Sequence, residues 1–247
     1  MADTKPLISI ITVVFNGEKY LEETVVSVLN QTYDNVEYIV IDGGSTDGTV
    51  DIIKKYEDKI DYWVSERDGG IYDAMNKGID IATGKWINFM NVGDSFFDDN
   101  VLDVVFAKNN FENIDVIYGN HKVIYPNKTR IAKAGDMRDI WRGSQFCHQS
   151  SFISSTLHKS KRYNICNKIG ADFEFFYTAY KNGAKFGYID VVMANYAAGG
   201  VSDVKRVESI VERWNVIDKS IKTNFYYIWL IIKEMLKHQI KKIIKNI

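Results

Sequence analysis

The chain has 247 residues, 46% apolar and 26% charged, which is the balance of an ordinary globular protein and excludes a mostly disordered one. A formal net charge of −1 leaves no chain-wide basic field for nucleic acid, so a strongly anionic ligand must be met locally, by a metal ion or a few basic side chains. Cys147 and Cys166 lack metal-type spacing, no apolar run reaches the roughly 18 residues of a spanning helix, and the first residues lack the basic start and cleavage site of a leader, which reads as a cytoplasmic protein.

"LISIITVVF" opens the chain as a continuous β-branched run, the pattern of a strand buried on both faces. "GEKYLEETVVSVLNQ" then places Leu21, Val25, Val28 and Leu29 at helical spacing, with Asn16 in position to cap the helix. Strand and helix keep alternating through "VEYIVID", "TVDIIKKY", "IDYWVSE", "IYDAMNKGIDIA" and "KWINFMNV". This alternation predicts βαβ units and a mainly parallel sheet flanked by helices. Ligands of such sheets bind at the carboxyl ends of the strands. That rule brings Phe15-Asn16, Asp42-Gly43-Gly44 and the Asn91–Asp94 loop to one edge.

The second half is less regular. "IDVIYGNHKVIY" reads as a strand, one arm of a hairpin closed around "YPNKT", and residues 171–197 read as helix, glycine-bearing turn and strand. There is no repeat and no linker, so residues 1–205 are expected to form one domain and residues 206–247 a helical tail. In the tail, Ile232, Leu236, Ile240, Ile243 and Ile247 form an apolar stripe, with Lys233, Lys237, Lys241 and Lys245 beside it. Such a helix either lies in a membrane interface, drawn to anionic lipid, or packs its stripe on protein, including a second copy in a homodimer.

The strand-end loops carry the chemistry. In "FMNVGDSFF" an acid follows a buried strand; it either holds a hard cation through oxygen or is simply a turn residue. Asp42, beside two glycines that let a ligand approach the backbone, can accept hydrogen bonds from a base or ribose, and Phe15 offers a ring face for stacking. "DGGSTDG" does not have the Gly-x-Gly-x-x-Gly spacing of a dinucleotide site.

Taken together, "SIITVVFNGEKYLEETVVSVLNQTYDNVEYIVIDGGSTDGT" and "SERDGGIYDAMNKGIDIATGKWINFMNVGD" resemble the family 2, GT-A-fold glycosyltransferases, especially the bacterial colanic-acid, O-antigen and capsule enzymes. "CHQSSF", "GADFEFF" and "AAGGVS" continue the pattern, so the resemblance runs from about Leu7 to Ser202. It implies a GT-A-type, Rossmann-like mixed sheet, a nucleotide-sugar donor, probed first as UDP-linked, and a glycan or lipid-linked acceptor in surface polysaccharide synthesis at the inner face of the membrane. It further implies that Phe15 stacks on the base, Asp42 and Gly43 read it, and Asp68 lines the nucleoside and diphosphate region. Tyr72, Asp73, Asn76 and Lys77 adjoin that wall, Tyr72 equally suiting the core.

"NVGD" stands where the family has its acidic metal motif, but Asn91 and Gly93 occupy places where acids often occur, and the resemblance implies that these two line the nucleotide sugar. Asp94 is then the single carboxylate for Mg²⁺ or Mn²⁺, with nucleotide oxygens and water completing the shell. Asp172 matches the family's base, which takes the proton of the acceptor hydroxyl in an inverting transfer; a helix-capping role would also suit it. His148 and Gln149 match a motif near the donor and acceptor sugars, and Arg142, beside Trp141, is placed to pair with diphosphate. A nucleotidyltransferase would need a glycine-rich, basic loop after the first strand, which "VVFNGEKYLEE" is not. A non-catalytic relative is supported only by the thinned "NVGD".

Overall fold

In the computed structural model the backbone is described for residues 5–107, 109 and 111–245, and the side chains of these except at 201–202 and 238–245. The opening β-branched run forms β1 (Ile8–Val14), buried at all seven positions. After it come α1 (Leu21–Leu29), β2 (Val36–Asp42), α2 (Thr49–Lys55), β3 (Tyr62–Ser65), α3 (Ile71–Ile81) and β4 (Trp86–Phe89). β1 pairs in parallel with β2 and β4, and β2 with β3, so four carboxyl ends share one edge. Alternate residues of β1 face opposite layers. Ile11 and Val13 pack with α3 residues such as Met75 and Ile79, whereas Ile8, Ile10 and Val14 pack with α1 residues such as Leu21 and Val25.

The second half adds β5 (Ser95–Phe96), α4 (Val101–Phe106), β6 (Val116–Tyr125), β7 (Lys128–Ala132), β8 (Ser151–Ser154), α5 (Ser155–Ser160), α6 (Ala171–Lys181), β9 (Phe186–Ala197), α7 (Val201–Val204), α8 (Arg206–Val216) and α9 (Ile221–Lys245). β6 and β7 make the expected hairpin, closed across Pro126 and Asn127. The sheet order is β3-β2-β1-β4-β8-β6-β9-β5, with β7 on β6. β8 runs antiparallel to β4 and β6, and β5 antiparallel to β9, while β6 and β9 are parallel. The sheet is therefore mixed and mainly parallel, with helices on both faces, as the sequence predicts.

Asn16 does not cap the first helix. α1 starts behind Tyr20, which makes no capping bond. The chain leaves β1 through Asn16 at φ +51, a left-handed conformation that asparagine tolerates. Its Oδ1 instead accepts the Thr46 N–H at 2.9 Å, tying the loop after β1 to the loop after β2.

One face of residues 210–231 packs on the rest. Ile210, Ile217 and Tyr227 are buried in the same cluster as Phe173, Phe176 and Tyr177. The Glu212 carboxylate accepts the Ile169 N–H at 3.1 Å. The sequence stripe at Ile240, Ile243 and Ile247, with Lys241 and Lys245, lies outside the described side chains. Among the described residues, no helix is long and apolar enough to cross a membrane.

Candidate active site

The loops after β1, β2, β3 and β4 meet at the parallel edge. Asp42 ends β2 with no solvent exposure. Its carboxylate accepts from the Gly44 and Ser45 N–H groups at 3.2 and 3.0 Å and from the Ser45 and Ser65 hydroxyls at 2.5 and 2.6 Å. Three of these donors meet Oδ2 and one meets Oδ1, so Asp42 shapes its loop while Oδ1 keeps a lone pair for one further donor. The glycine beside it has a local cause. A Cβ on Gly43 would lie 2.6 Å from Asp68 Oδ2, so what approaches this backbone is the Asp68 carboxylate. Asp68 is itself anchored by the Gly70 N–H at 2.7 Å. Phe15 stands 62% exposed at the end of β1, its ring uncovered by the domain.

Asp94 sits deeper. Its turn is clasped by Thr24 of α1, whose hydroxyl donates to Asp94 O at 2.8 Å and accepts the Gly93 N–H at 3.1 Å. Gly93 has φ +91, a conformation open to glycine that would strain an acid with a Cβ at this position. The Asp94 carboxylate accepts from Gln149 Nε2 at 2.5 Å and from the Ala197 N–H at 3.1 Å. Burial raises its pKa to about 7, against the lowering effect of these two donors. Asn91, on the same turn, has a buried Oδ1 without a hydrogen-bond partner among the described residues. A buried carboxylate and an orphaned amide oxygen on one turn offer two oxygens to a hard cation. No group of three His, Cys, Asp or Glu side chains gathers for a metal among the described residues. The fit is therefore to a cation whose shell is completed by ligand oxygens and water.

Asp172 is the second residue of α6, whose N-cap is Gly170 without a side-chain capping bond. Its carboxylate meets the Tyr72 hydroxyl instead, with Oη 3.1 Å from Oδ1. The same Oη is 3.0 Å from the Ile169 carbonyl oxygen. A phenol has one proton, so Tyr72 can donate to Asp172 while that group is charged. Once Asp172 holds a proton, Tyr72 can donate to Ile169 and accept from Asp172. Burial first, then the Asp172 charge, holds the Tyr72 pKa well above its ordinary value, so the phenol keeps its proton. Glu174, two residues on, is occupied by Asn164 and Asn167. Asp172, His148, Gln145 and Ile140 line one cleft. Behind it His148 Nε2 meets Tyr163 Oη at 2.7 Å, and Tyr163 meets the buried His158 at 3.2 Å. Burial lowers the His148 pKa and pushes that of His158 down to about 3, so this row is neutral near pH 7.

A short 3₁₀ turn, His148–Ser150, connects the two carboxylates. His148 faces the Asp172 cleft, while the next residue, Gln149, bonds Asp94. The expectation that both hold sugar hydroxyls is thus divided: the Gln149 amide is engaged by Asp94. Arg142 holds its guanidinium over Trp141 and 3.5 Å from Asp139. Ala197, the last residue of β9 before the Gly-Gly loop, reaches Asp94 through its N–H. Sequence reasoning gave no sign of the Gln149–Asp94 pair, the Thr24 clasp or the Tyr72–Asp172 contact. These link residues 55 to 100 positions apart, and no local spacing encodes them.

The family model described as Glycosyl transferase family 2 matches residues 9–183. A PGL/p-HBAD biosynthesis glycosyltransferase of Mycobacterium bovis is 32% identical over 205 residues, covering 80% of either chain. A Mycobacterium tuberculosis glycosyltransferase, described as uncharacterized, is 37% identical over 176 residues, covering 69% of this chain and 67% of its own. Among solved structures, S. aureus TarS in complex with UDP superposes with a TM-score of 0.66 at 20% identity, covering 90% of this chain and 69% of that one. A Pyrobaculum calidifontis mannosyltransferase in complex with GDP-Man and Mn²⁺ gives 0.67 at 16%, covering 90% and 67%. At these identities the two structures establish a shared fold.

Proposed function

The chain belongs to the family 2 glycosyltransferases, and we propose that it transfers a hexosyl group, with inversion, from a UDP-linked donor to a hydroxyl of a glycan or lipid-linked acceptor. The reading places it in surface polysaccharide synthesis, of the O-antigen or capsule kind, in the cytoplasm at the inner membrane face. The observation that carries the chemistry is that consecutive residues of one turn, His148 and Gln149, serve the two carboxylates. Asp172 opens into a cleft with His148, and Asp94 is held by Gln149.

Asp172 takes the proton of the acceptor hydroxyl through its free oxygen while Tyr72 holds Oδ1. The acceptor oxygen forms a bond to the anomeric carbon as the bond from that carbon to the diphosphate breaks on the opposite face. The electron pair leaves with the nucleoside diphosphate. A divalent cation, Mg²⁺ or Mn²⁺, held by Asp94 and Asn91 would supply positive charge to that leaving group. Phe15 and Asp68 border the nucleoside, the first by its exposed ring and the second by a carboxylate seated over Gly43. His148 orients a sugar hydroxyl in the cleft it shares with Asp172.

A thermal-shift series with UDP, UDP-sugars and GDP-sugars, each with and without Mn²⁺, tests the donor assignment. A ligand that binds the native state raises its apparent stability. Stabilisation by UDP compounds that depends on Mn²⁺ is expected, and its absence with every nucleotide would overturn the donor reading.

A further inference from the structure

α9 has two apolar faces, and among the described side chains only one packs on the protein. Tyr227 and Thr223 are buried and Leu230 and Ile231 are packed against the core. On the outer side Ile221, Phe225, Ile228, Trp229, Ile232 and Leu236 are all exposed, Phe225 at 72% and Trp229 at 53%. They recur at three- and four-residue spacing and so form one continuous outward stripe. Scattered exposed apolar residues are ordinary, but a contiguous stripe marks a contact surface.

The charge beside the stripe identifies the partner. Residues 221–247 contain six lysines and one glutamate, whereas the whole chain carries a formal net charge of −1. The rest of the molecule is therefore net acidic. Lys233 lies over the Trp229 ring at 4.7 Å, and Lys222 over Trp141 at 4.4 Å. Two copies meeting through this face would bring Lys222, Lys233 and Lys237, the last bonded to Glu234, against like charge. An anionic lipid surface accepts both features, apolar side chains below the headgroups and lysines among them. No helix here is long and apolar enough to span among the described residues, so the helix lies along the surface.

We propose that the outward face of α9 seats the protein on an anionic membrane surface. The same helix touches the wall of the acceptor cleft. Tyr226 stacks edge-on against Trp141 at 5.3 Å, its hydroxyl is 3.4 Å from the Arg142 carbonyl, and neighbouring Ile140 lines the cleft with Asp172. Seating α9 on a bilayer therefore brings the Asp172 cleft to membrane-borne acceptors. This consequence rests on the transferase reading; the seating itself does not.

Vesicle co-sedimentation of the full chain tests it without donor or acceptor. The protein is expected to pellet with phosphatidylcholine vesicles containing about a third phosphatidylglycerol, and to be released by about 1 M NaCl. A Phe225→Ser/Trp229→Ser variant and a Lys233→Glu/Lys237→Glu variant should each bind such vesicles about tenfold more weakly or worse. Circular dichroism and melting curves should match wild type, since all four side chains are exposed. Protein that stays in the supernatant with anionic vesicles, or variants that bind as wild type does, would overturn the proposal. So would a wild-type dimer that the Phe225/Trp229 variant turns into a monomer, because a second copy would then cover the stripe.

Discussion

At the scale of single residues, Tyr72 is the clearest gain over the sequence, where "GGIYDAMNKG" suited both a pocket wall and a core position. Its hydroxyl is shared between Ile169 O and Asp172 Oδ1, so it holds the carboxylate in either protonation state. Hydrogen bonds to charged groups contribute about 1.5–3 kcal/mol. Tyr72→Phe is accordingly expected to lower kcat about tenfold or more, and to leave KM for the donor within about twofold. Initial-rate kinetics check the split; a loss confined to KM would remove Tyr72 from this role. Asp94 makes a pH prediction. Its folded pKa, about 7, is above its ordinary value of 3.8 because it is buried. The folded state thus binds the proton more tightly, and the resulting stability is complete below about pH 4 and lost as pH rises through about 7. Three pKa units correspond to about 4 kcal/mol as an order of magnitude. Melting temperature should fall between pH 5 and pH 8 in wild type and fall less in Asp94→Ala. The same residues show the reach of the sequence. Gly43 was legible as a point of close approach, but the approaching group, Asp68, comes from the next strand-end loop.

At the scale of elements, the periodicities of the first half were sufficient. Apolar strand-length runs and period-3.6 runs set β1 to β4 and α1 to α3, and "YPNKT" set the hairpin. The entry to α1 was not legible, because Asn16 spends its side chain on Thr46 and its backbone on a left-handed turn. The position of β8 between β4 and β6 was not legible either, since its partners lie far apart in sequence. α9 shows how one helix can serve two surroundings: the sequence stripe marks apolar residues without saying which face the domain takes. The domain takes the Tyr227 face, and Tyr227 is 1% exposed with no partner for its hydroxyl among the described residues. An unpaired buried hydroxyl costs about 1–3 kcal/mol. Tyr227→Phe should therefore stabilise the protein by about 1 kcal/mol, read as a higher denaturation midpoint at unchanged m-value. A lower midpoint would mean that the hydroxyl is satisfied.

At the scale of the whole molecule, the mixed sheet gathers its chemistry from both halves of the chain. The parallel strands β1 to β4 deliver Phe15, Asp42, Asp68 and Asp94 to one edge. The second half then supplies the Gln149 amide and the Ala197 N–H to Asp94, and Asp172 to the adjoining cleft. The family was legible because its motifs occur in order along most of the chain, and the family model matches residues 9–183. Donor sugar, acceptor and linkage depend on loop shape and are not carried by those motifs. The central claim is that Asp172 is the base, and a single comparison tests it most directly: the transfer rate at saturating donor for wild type and Asp172→Asn, with donor affinity measured in parallel by calorimetry. A positioned base contributes about 10²–10⁴-fold, so the account predicts a loss of that size with donor Kd within about twofold. Transfer by Asp172→Asn at near wild-type rate would contradict it.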